Sequence, residues 1–258
     1  MNKQMLKGIV FTGIFIVPFV PLFVSSSFFF PFITTKVFAW RFIVEIVSAA
    51  WVLLALMEPT FRPKKSPILY AIGAFLVAVG LADVFGVDIA HSFWSNFERM
   101  EGFVSLLHLG AYFLVISSVF SEINWRHWWN TSLVASLLIV FFCLLQLAGV
   151  KTINQGGVRV DGTFGNAIYL AVYLLFHIFI MFFYLAKEWK NKNLKWLYSI
   201  LIIAELIILY YTATRGAILG LLGGLVLLAL LNARNKQDKG VRKASLALLA
   251  VVVLVVGG

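Results

Sequence analysis

The feature that most constrains this chain is a succession of apolar runs, each close to the length of a membrane-spanning helix, separated by short polar connections. The hydrocarbon core of a bilayer is about 30 Å thick, and a helix needs about 20 residues to cross it. Hydrophobic residues make up 62% of the chain and charged residues 12%, whereas charged residues form about a quarter of ordinary soluble domains. The sequence therefore predicts an all-α, polytopic transmembrane helix bundle.

Eight runs are long enough to span a bilayer, and a ninth is too short. The eight predicted spans lie near 8–30, 38–57, 67–85, 103–120, 130–150, 165–186, 194–211 and 212–231. The ninth run, 245–258, predicts an incomplete helix, so we expect the native chain to continue further. Because no repeat, Pro-rich linker or low-complexity tract divides the runs, we predict a single transmembrane domain over residues 1–258.

The distribution of positive charge predicts the orientation, because lysine and arginine accumulate in cytoplasmic connections. Most of the 21 lysines and arginines fall in alternate connections, beginning with the N-terminal segment. We therefore predict a cytoplasmic N-terminus. The other connections, predicted to be exoplasmic, hold Lys36, Arg41, Arg99, Lys151, Arg159 and Arg215.

The net charge of +10 does not form one basic patch, which argues against a nucleic-acid partner. The four histidines, His91, His108, His127 and His177, are scattered and lack metal-ligand spacing. The chain also lacks a Walker-type phosphate loop and a nucleophile elbow. We therefore expect no metal and no cofactor.

A glycine-rich motif precedes the sixth run. It consists, in chain order, of Arg159, Asp161, Gly162, Thr163, Gly165 and Asn166. At the start of a helix, backbone N–H groups and the positive end of the helix dipole can face a phosphate. Alternation at 158–161 predicts a short extended segment with Arg159 and Asp161 on one side. The alternative is a plain helix cap by Thr163 or Asn166.

A second motif, Thr214-Arg215-Gly216, opens the eighth run. A guanidinium at the edge of the hydrocarbon is costly unless an anion or a water-filled cavity receives it, and its planar donor fork suits a phosphate. The alternatives are an ion pair with Asp161 or a snorkelling side chain. Arg99, in the aromatic segment 91–102, is the third candidate cation, although that segment also suits an interfacial anchor.

Two carboxyl groups lie within predicted helices. Glu45 follows Arg41 by one turn, and we expect the two to pair. Glu205 has no evident partner in the sequence, which predicts a protonated or cavity-facing carboxyl.

Together the two motifs resemble the O-antigen ligase and O-antigen polymerase superfamily of bacterial inner-membrane glycosyltransferases. The resemblance rests on Arg159 ahead of Gly-Thr-Phe-Gly-Asn, and on Thr-x-Thr-Arg-Gly at 212–216. The family usually continues Gly-Asn-Pro-Asn, whereas this chain has Ala167 and Ile168. Thr214 replaces the commoner serine and keeps its hydroxyl.

The resemblance implies transfer of a glycan from undecaprenyl diphosphate to a hydroxyl of a glycolipid, glycan or protein acceptor on the periplasmic face. Such a reaction belongs to lipopolysaccharide or polysaccharide biosynthesis and needs no obligatory metal. Arg159, Arg215 and Arg99 would bind the diphosphate, supported by Asp161, Gly162, Thr163, Gly165, Asn166, Thr214 and Gly216.

In this family the catalytic histidine lies in a large periplasmic loop beyond these helices, so the catalytic residue stays unassigned. We expect a C-terminally truncated chain that lacks activity by itself. The alternatives are a transporter or flippase for an anionic lipid-linked solute, and a non-catalytic membrane remnant.

Overall fold

The computed structural model describes residues 2–154 and 156–233, together with 242–243, 245–247 and 249–250. Over these residues the chain is helical and contains no strand, so the all-α prediction is confirmed. The α-helices are α1 (Lys3–Ile16), α2 (Thr34–Met57), α3 (Pro67–Val84), α4 (Ile89–Trp94), α5 (Phe103–Val119), α6 (Glu122–Leu147), α7 (Ala167–Lys187), α8 (Lys192–Tyr211) and α9 (Arg215–Ala233).

Within the described residues, seven helices are long and apolar enough to cross a membrane. They are α2, α3, α6, α7, α8, α9 and the segment Lys3–Leu22, in which a 3-10 helix continues α1. This indicates a multi-pass membrane protein. The remaining predicted span, 103–120, corresponds to α5, which has 17 residues, so the count of eight and the N-terminal orientation stay predictions. The predicted ninth helix, 245–258, lies mostly outside the described residues.

The predicted helix boundaries are wrong mainly at the N-terminal side of the chain. The first run was expected to stay helical over 8–30, but α1 ends at Ile16 and the 3-10 helix ends at Leu22. Pro18 and Pro21 cause this change, because proline cannot donate the N–H that an α-helix requires. In contrast, α6 begins at Glu122, eight residues before the predicted start at 130. The prediction followed the apolar run alone, whereas the polar residues that precede it also form helix.

Contacts divide the chain into two units, Met1–Ile139 and Val140–Gly258, with the boundary inside α6. In the first unit α1, α2 and α5 share an apolar core in which Val10, Ile14, Leu54 and Val115 are fully buried. α3 contacts α4 and α5, yet none of its residues is buried. Much of the surface of α3 is therefore available to face lipid.

A pairing expected in the first unit is wrong. The Glu45 carboxylate lies 3.1 Å from His108 Nε2, and the Arg41 guanidinium donates instead to the Met100 carbonyl and to Ser105 Oγ. Helix spacing allowed Arg41 and Glu45 to meet, but partners on α5 and on the preceding loop compete successfully for both side chains.

In the second unit α7 packs against α8 and α9. The buried face of α7 follows helical spacing through Leu170, Leu174, Ile178 and Met181, all inaccessible to solvent. The small residues of α9 allow close approach, since a Cβ added at Gly220 would lie 3.3 Å from Leu175 Cδ2. This packing fixes the starts of α7 and α9, where the two sequence motifs lie.

Candidate anion site

The glycine-rich motif forms a tight turn between α6 and α7. Gly162 and Gly165 have φ values of +55° and +64°, a conformation that costs glycine little and other residues more. Gly162–Phe164 forms a short 3-10 helix, and a Cβ added at Gly162 would lie only 2.9 Å from Cys143 Sγ. These glycines are therefore required by the backbone.

Asn166 caps the start of α7, as the helix-cap alternative predicts. Its side-chain oxygen accepts a hydrogen bond of 2.8 Å from Ile168 N, which makes Asn166 the N-cap of α7. Thr163, the other candidate cap, is buried within the turn. The side chain of Asn166 thus supports the helix start.

A buried glutamine holds the turn together. Gln146, near the end of α6, donates from Nε2 to Asp161 Oδ1 at 2.7 Å and to the Thr152 carbonyl at 2.8 Å. Its Oε1 accepts from Gly162 N at 2.8 Å. Asp161 Oδ2 accepts from Asn154 N at 3.0 Å. Asp161 is completely buried, so this carboxylate positions the loop from inside.

Arg159 and Asp161 do not act as a pair. Val158 lies in a turn and Arg159 in a bend, and the next two residues have no regular secondary structure, so the predicted extended segment does not form a strand. The Asp161 carboxylate is bound by Gln146 and Asn154, whereas Arg159 reaches the junction of α8 and α9. Between them Val160 is fully buried, and its N–H donates to the Tyr211 carbonyl at 3.2 Å.

Arg159 binds the α8–α9 junction through two donors. Its Nε donates to the Thr212 carbonyl at 2.9 Å, and Nη2 donates to Thr214 Oγ1 at 3.0 Å. A guanidinium has five N–H donors, so the remaining ones are available to a ligand, and the side chain is partly exposed. The Thr214 hydroxyl also faces the carbonyl oxygens of Thr212 and Ala167. Arg159 and Thr214 thereby fix the start of α9.

Arg215, one residue further on, is the first residue of α9 and is exposed. In the described part of the chain its guanidinium has no hydrogen-bond or ion-pair partner, and the alternative pairing with Asp161 is not formed. A Cβ added at the neighbouring Gly216 would meet nothing within 4 Å. The first turn of α9 is therefore open beside the guanidinium.

Arg215 lines a cavity of about 330 Å³ together with Val158, Tyr210, Tyr211, Ala213 and Ile218. Ala213 has a φ of +49°, an uncommon conformation for a residue with a side chain. A second groove of about 530 Å³ runs along α8 and is lined by Ile203, Leu206, Ile207, Tyr210 and Tyr211. Because Tyr210 and Tyr211 line both, a cationic cavity adjoins an apolar groove.

Arg99, the third predicted cation, belongs to the first unit. Its guanidinium carbon lies 4.7 Å from the centroid of the Phe30 ring, and the adjacent Glu98 carboxylate accepts from the backbone N–H groups of Phe29 and Phe30. Arg99 therefore packs on a loop that Glu98 ties down. A site shared by Arg99, Arg159 and Arg215 stays a prediction.

Sequence reasoning missed Gln146 and the two tyrosines, and it named Thr212 as part of a motif without predicting that its carbonyl accepts from Arg159. Gln146 carried a usable signal, because an amide near the end of an apolar run needs buried partners. Tyr210 and Tyr211 look like ordinary interfacial aromatics in the sequence. Their role follows only from the turn that brings α9 back beside α8.

Comparison with protein families, curated proteins and solved structures gives no match. The resemblance to O-antigen ligases and polymerases therefore rests on the two motifs alone. Within the described residues, three or more histidine, cysteine, aspartate or glutamate side chains do not cluster as metal ligands would.

Proposed function

We propose that the second unit binds the diphosphate of an undecaprenyl diphosphate-linked glycan, and that the complete protein transfers this glycan to an acceptor hydroxyl. The observation that carries the proposal is the guanidinium of Arg215, which has no partner among the described residues and lies in a cavity that adjoins an apolar groove. A lipid diphosphate has this same combination of a strongly anionic head and a hydrocarbon tail.

The charge balance favours an anion. The described lining of the cavity contains the Arg215 cation and no carboxylate, while Asp161 is buried and accepts hydrogen bonds from Gln146 and Asn154. Arg159 brings further donors to the same helix junction. Guanidinium groups bind phosphate through paired, charge-assisted hydrogen bonds, and the open N-terminus of α9 adds the positive end of its dipole.

The proposed reaction breaks the bond between the anomeric carbon of the glycan and the oxygen of the diphosphate. The acceptor oxygen forms the new bond to that carbon and loses its proton to a base, and the diphosphate leaves as an anion. Arg159 and Arg215 would stabilise the charge that develops on the leaving oxygen, as fixed donors do in electrostatic catalysis. Arg99 is retained as a candidate third cation, and the base is unassigned.

The other motif residues support these arginines. Gly162, Gly165 and Asn166 shape the turn before α7, Asp161 and Thr163 lie inside it, and Thr214 and Gly216 form the open start of α9. In this proposal the protein lies in a bacterial inner membrane with the arginines on the periplasmic side. Its partners are the lipid-linked glycan, the acceptor and the bilayer.

The proposal is tested with the full-length protein in bacterial membranes supplied with an undecaprenyl diphosphate-linked glycan. Release of undecaprenyl diphosphate reports turnover without knowledge of the acceptor. We expect Arg215→Ala and Arg159→Ala to slow release about 100-fold or more, the range seen when one charge-stabilising donor is removed. Arg62→Ala is the matched control, since Arg62 is exposed and donates to the Ala55 carbonyl in the first unit.

Arg215→Lys separates ligand binding from snorkelling. Lysine snorkels as well as arginine, but it lacks the planar fork, so the proposal predicts a large loss for this variant also. Normal release by Arg215→Ala, at normal protein abundance, would refute the diphosphate role.

A further inference from the structure

A second cavity lies wholly within the first unit and is not used by the proposed transfer site. It has a volume of about 300 Å³. Three polar and three aromatic side chains account for its chemistry: Arg41, Glu45, His108, Phe38, Phe42 and Trp94. All of its lining residues belong to one unit, so its geometry does not depend on the second unit.

The polar wall is held in place by specific contacts. Arg41 is 7% exposed and donates to the Met100 carbonyl and, at 2.9 Å, to Ser105 Oγ. Its Nε is buried and has no hydrogen-bond partner among the described residues. A buried guanidinium donor without a partner is costly, so the contacts of Arg41 Nη2 hold this side chain in place.

The His108 ring links α5 to Glu45 on α2. Its Nδ1 is 2.7 Å from the Val104 carbonyl, which can only accept, so Nδ1 carries a hydrogen. Its Nε2 is 3.1 Å from Glu45 Oε1, so both ring nitrogens are engaged within the protein. This Glu45–His108 dyad therefore leaves the second Glu45 oxygen as an acceptor for a ligand.

The position of Glu45 excludes hydrocarbon as the natural occupant. Glu45 is the twelfth residue of α2, about 16 Å along the helix from its first residue, and its side chain is 65% exposed. A carboxyl group at such depth faces a polar partner or a cavity. Only one of its oxygens meets His108, so the other needs a donor.

The same lining contains three aromatic side chains. Phe38 and Phe42 lie one turn apart on α2, and Trp94 ends α4. The exposed fractions of Phe42 and Trp94 are 65% and 49%. Flat apolar faces in the same lining as a carboxyl, an imidazole and a guanidinium suit a ring that is apolar on its faces and carries hydroxyl groups around its edge.

We propose that this cavity binds one neutral sugar ring, stacked on Trp94 and hydrogen-bonded through its hydroxyl groups to the Glu45–His108 dyad. The volume is at the lower end of the range for ligand pockets and suits a monosaccharide. Arg41 disfavours a cationic ligand, and the Glu45 carboxyl group in the same lining disfavours an anion. The site does not depend on the proposed transfer function.

Saturation-transfer difference NMR tests the site on the full chain in detergent, with the methyl glycosides of glucose, galactose and N-acetylglucosamine as probes. We expect at least one glycoside to bind, and both Trp94→Ala and Glu45→Gln to weaken it at least tenfold. Glu45→Gln preserves side-chain shape, so the test stays informative if Trp94→Ala does not fold. Trp196→Ala and His91→Gln remove an exposed tryptophan and an exposed histidine elsewhere, and both should bind normally.

Arg215→Ala should leave glycoside binding unchanged, which separates a failure of this site from a failure of the transfer site. The proposal is overturned if none of the three glycosides binds, or if Glu45→Gln binds as the wild type does. Stronger binding of tetramethylammonium than of every glycoside would overturn it also, because the cavity would then be a cation site.

Discussion

Arg41 in the first unit and Arg215 in the second both lie in the first half of an apolar helix, yet their surroundings differ completely. Arg41 is buried, and its guanidinium is bound by a backbone carbonyl and a serine hydroxyl. Arg215 is exposed in a cavity and has no partner in the described part of the chain. The comparison shows that the fold satisfies Arg41, whereas the described residues give Arg215 no such partner.

The difference lies in where the donors of each guanidinium point. Arg41 ties α2 to the loop before α5, so most of its interaction energy contributes to the fold. Arg159, and not Arg215, makes the contacts that fix the junction of α8 and α9. A residue relieved of structural contacts can give its donors to a substrate.

The largest expected effect is on the stability of the first unit. Arg41→Ala leaves a part-buried carbonyl and a hydroxyl without their donor, and we expect the free energy of unfolding to fall by about 3 kcal/mol. Arg215→Ala should change it by less than about 0.5 kcal/mol, as exposed substitutions usually do. Denaturant unfolding in mixed micelles measures both values. Equal losses for the two variants would erase the distinction between them.

A smaller effect on the free energy of unfolding is expected at Gln146, which holds the turn before α7 in the second unit. Gln146→Leu leaves Asp161 buried with one hydrogen bond fewer and Gly162 N without its acceptor, which should cost about 2 kcal/mol of unfolding free energy. Gln4→Leu is the control, because Gln4 is exposed near the N-terminus. The same micelle unfolding experiment reports both. A neutral Gln146→Leu would mean that the turn is held by its glycines alone.

The helices were predictable from the sequence because apolar runs of sufficient length leave little choice in a bilayer. Their ends were less predictable. The proline pair at 18 and 21 ended α1 within a run that stayed apolar, and Glu122 showed that α6 starts in polar sequence. Apolar length therefore locates a span but does not fix where its hydrogen bonding stops.

The candidate site was predictable only in part. Glycines at 162 and 165 and the cap at Asn166 follow from local backbone rules. The partners of Arg159, by contrast, are more than fifty residues away, and spacing placed Asp161 with the wrong side chains. The residue type is the same at Arg159 and Arg215. Only the tertiary contacts therefore reveal which of the two has its N–H donors engaged by the protein.

Direct binding of a lipid diphosphate tests the central claim that Arg215 is held open for a diphosphate. The dissociation constants of undecaprenyl diphosphate and of undecaprenol are measured for the detergent-purified chain, its Arg215→Ala variant and the Arg62→Ala control. We predict that the diphosphate binds the wild type and the control equally. It should bind Arg215→Ala at least tenfold more weakly, as loss of about 1.5 kcal/mol or more of charge-assisted hydrogen bonding implies, and undecaprenol should bind all three weakly. Unchanged diphosphate affinity in Arg215→Ala, or equal affinity for the two lipids, would contradict the account.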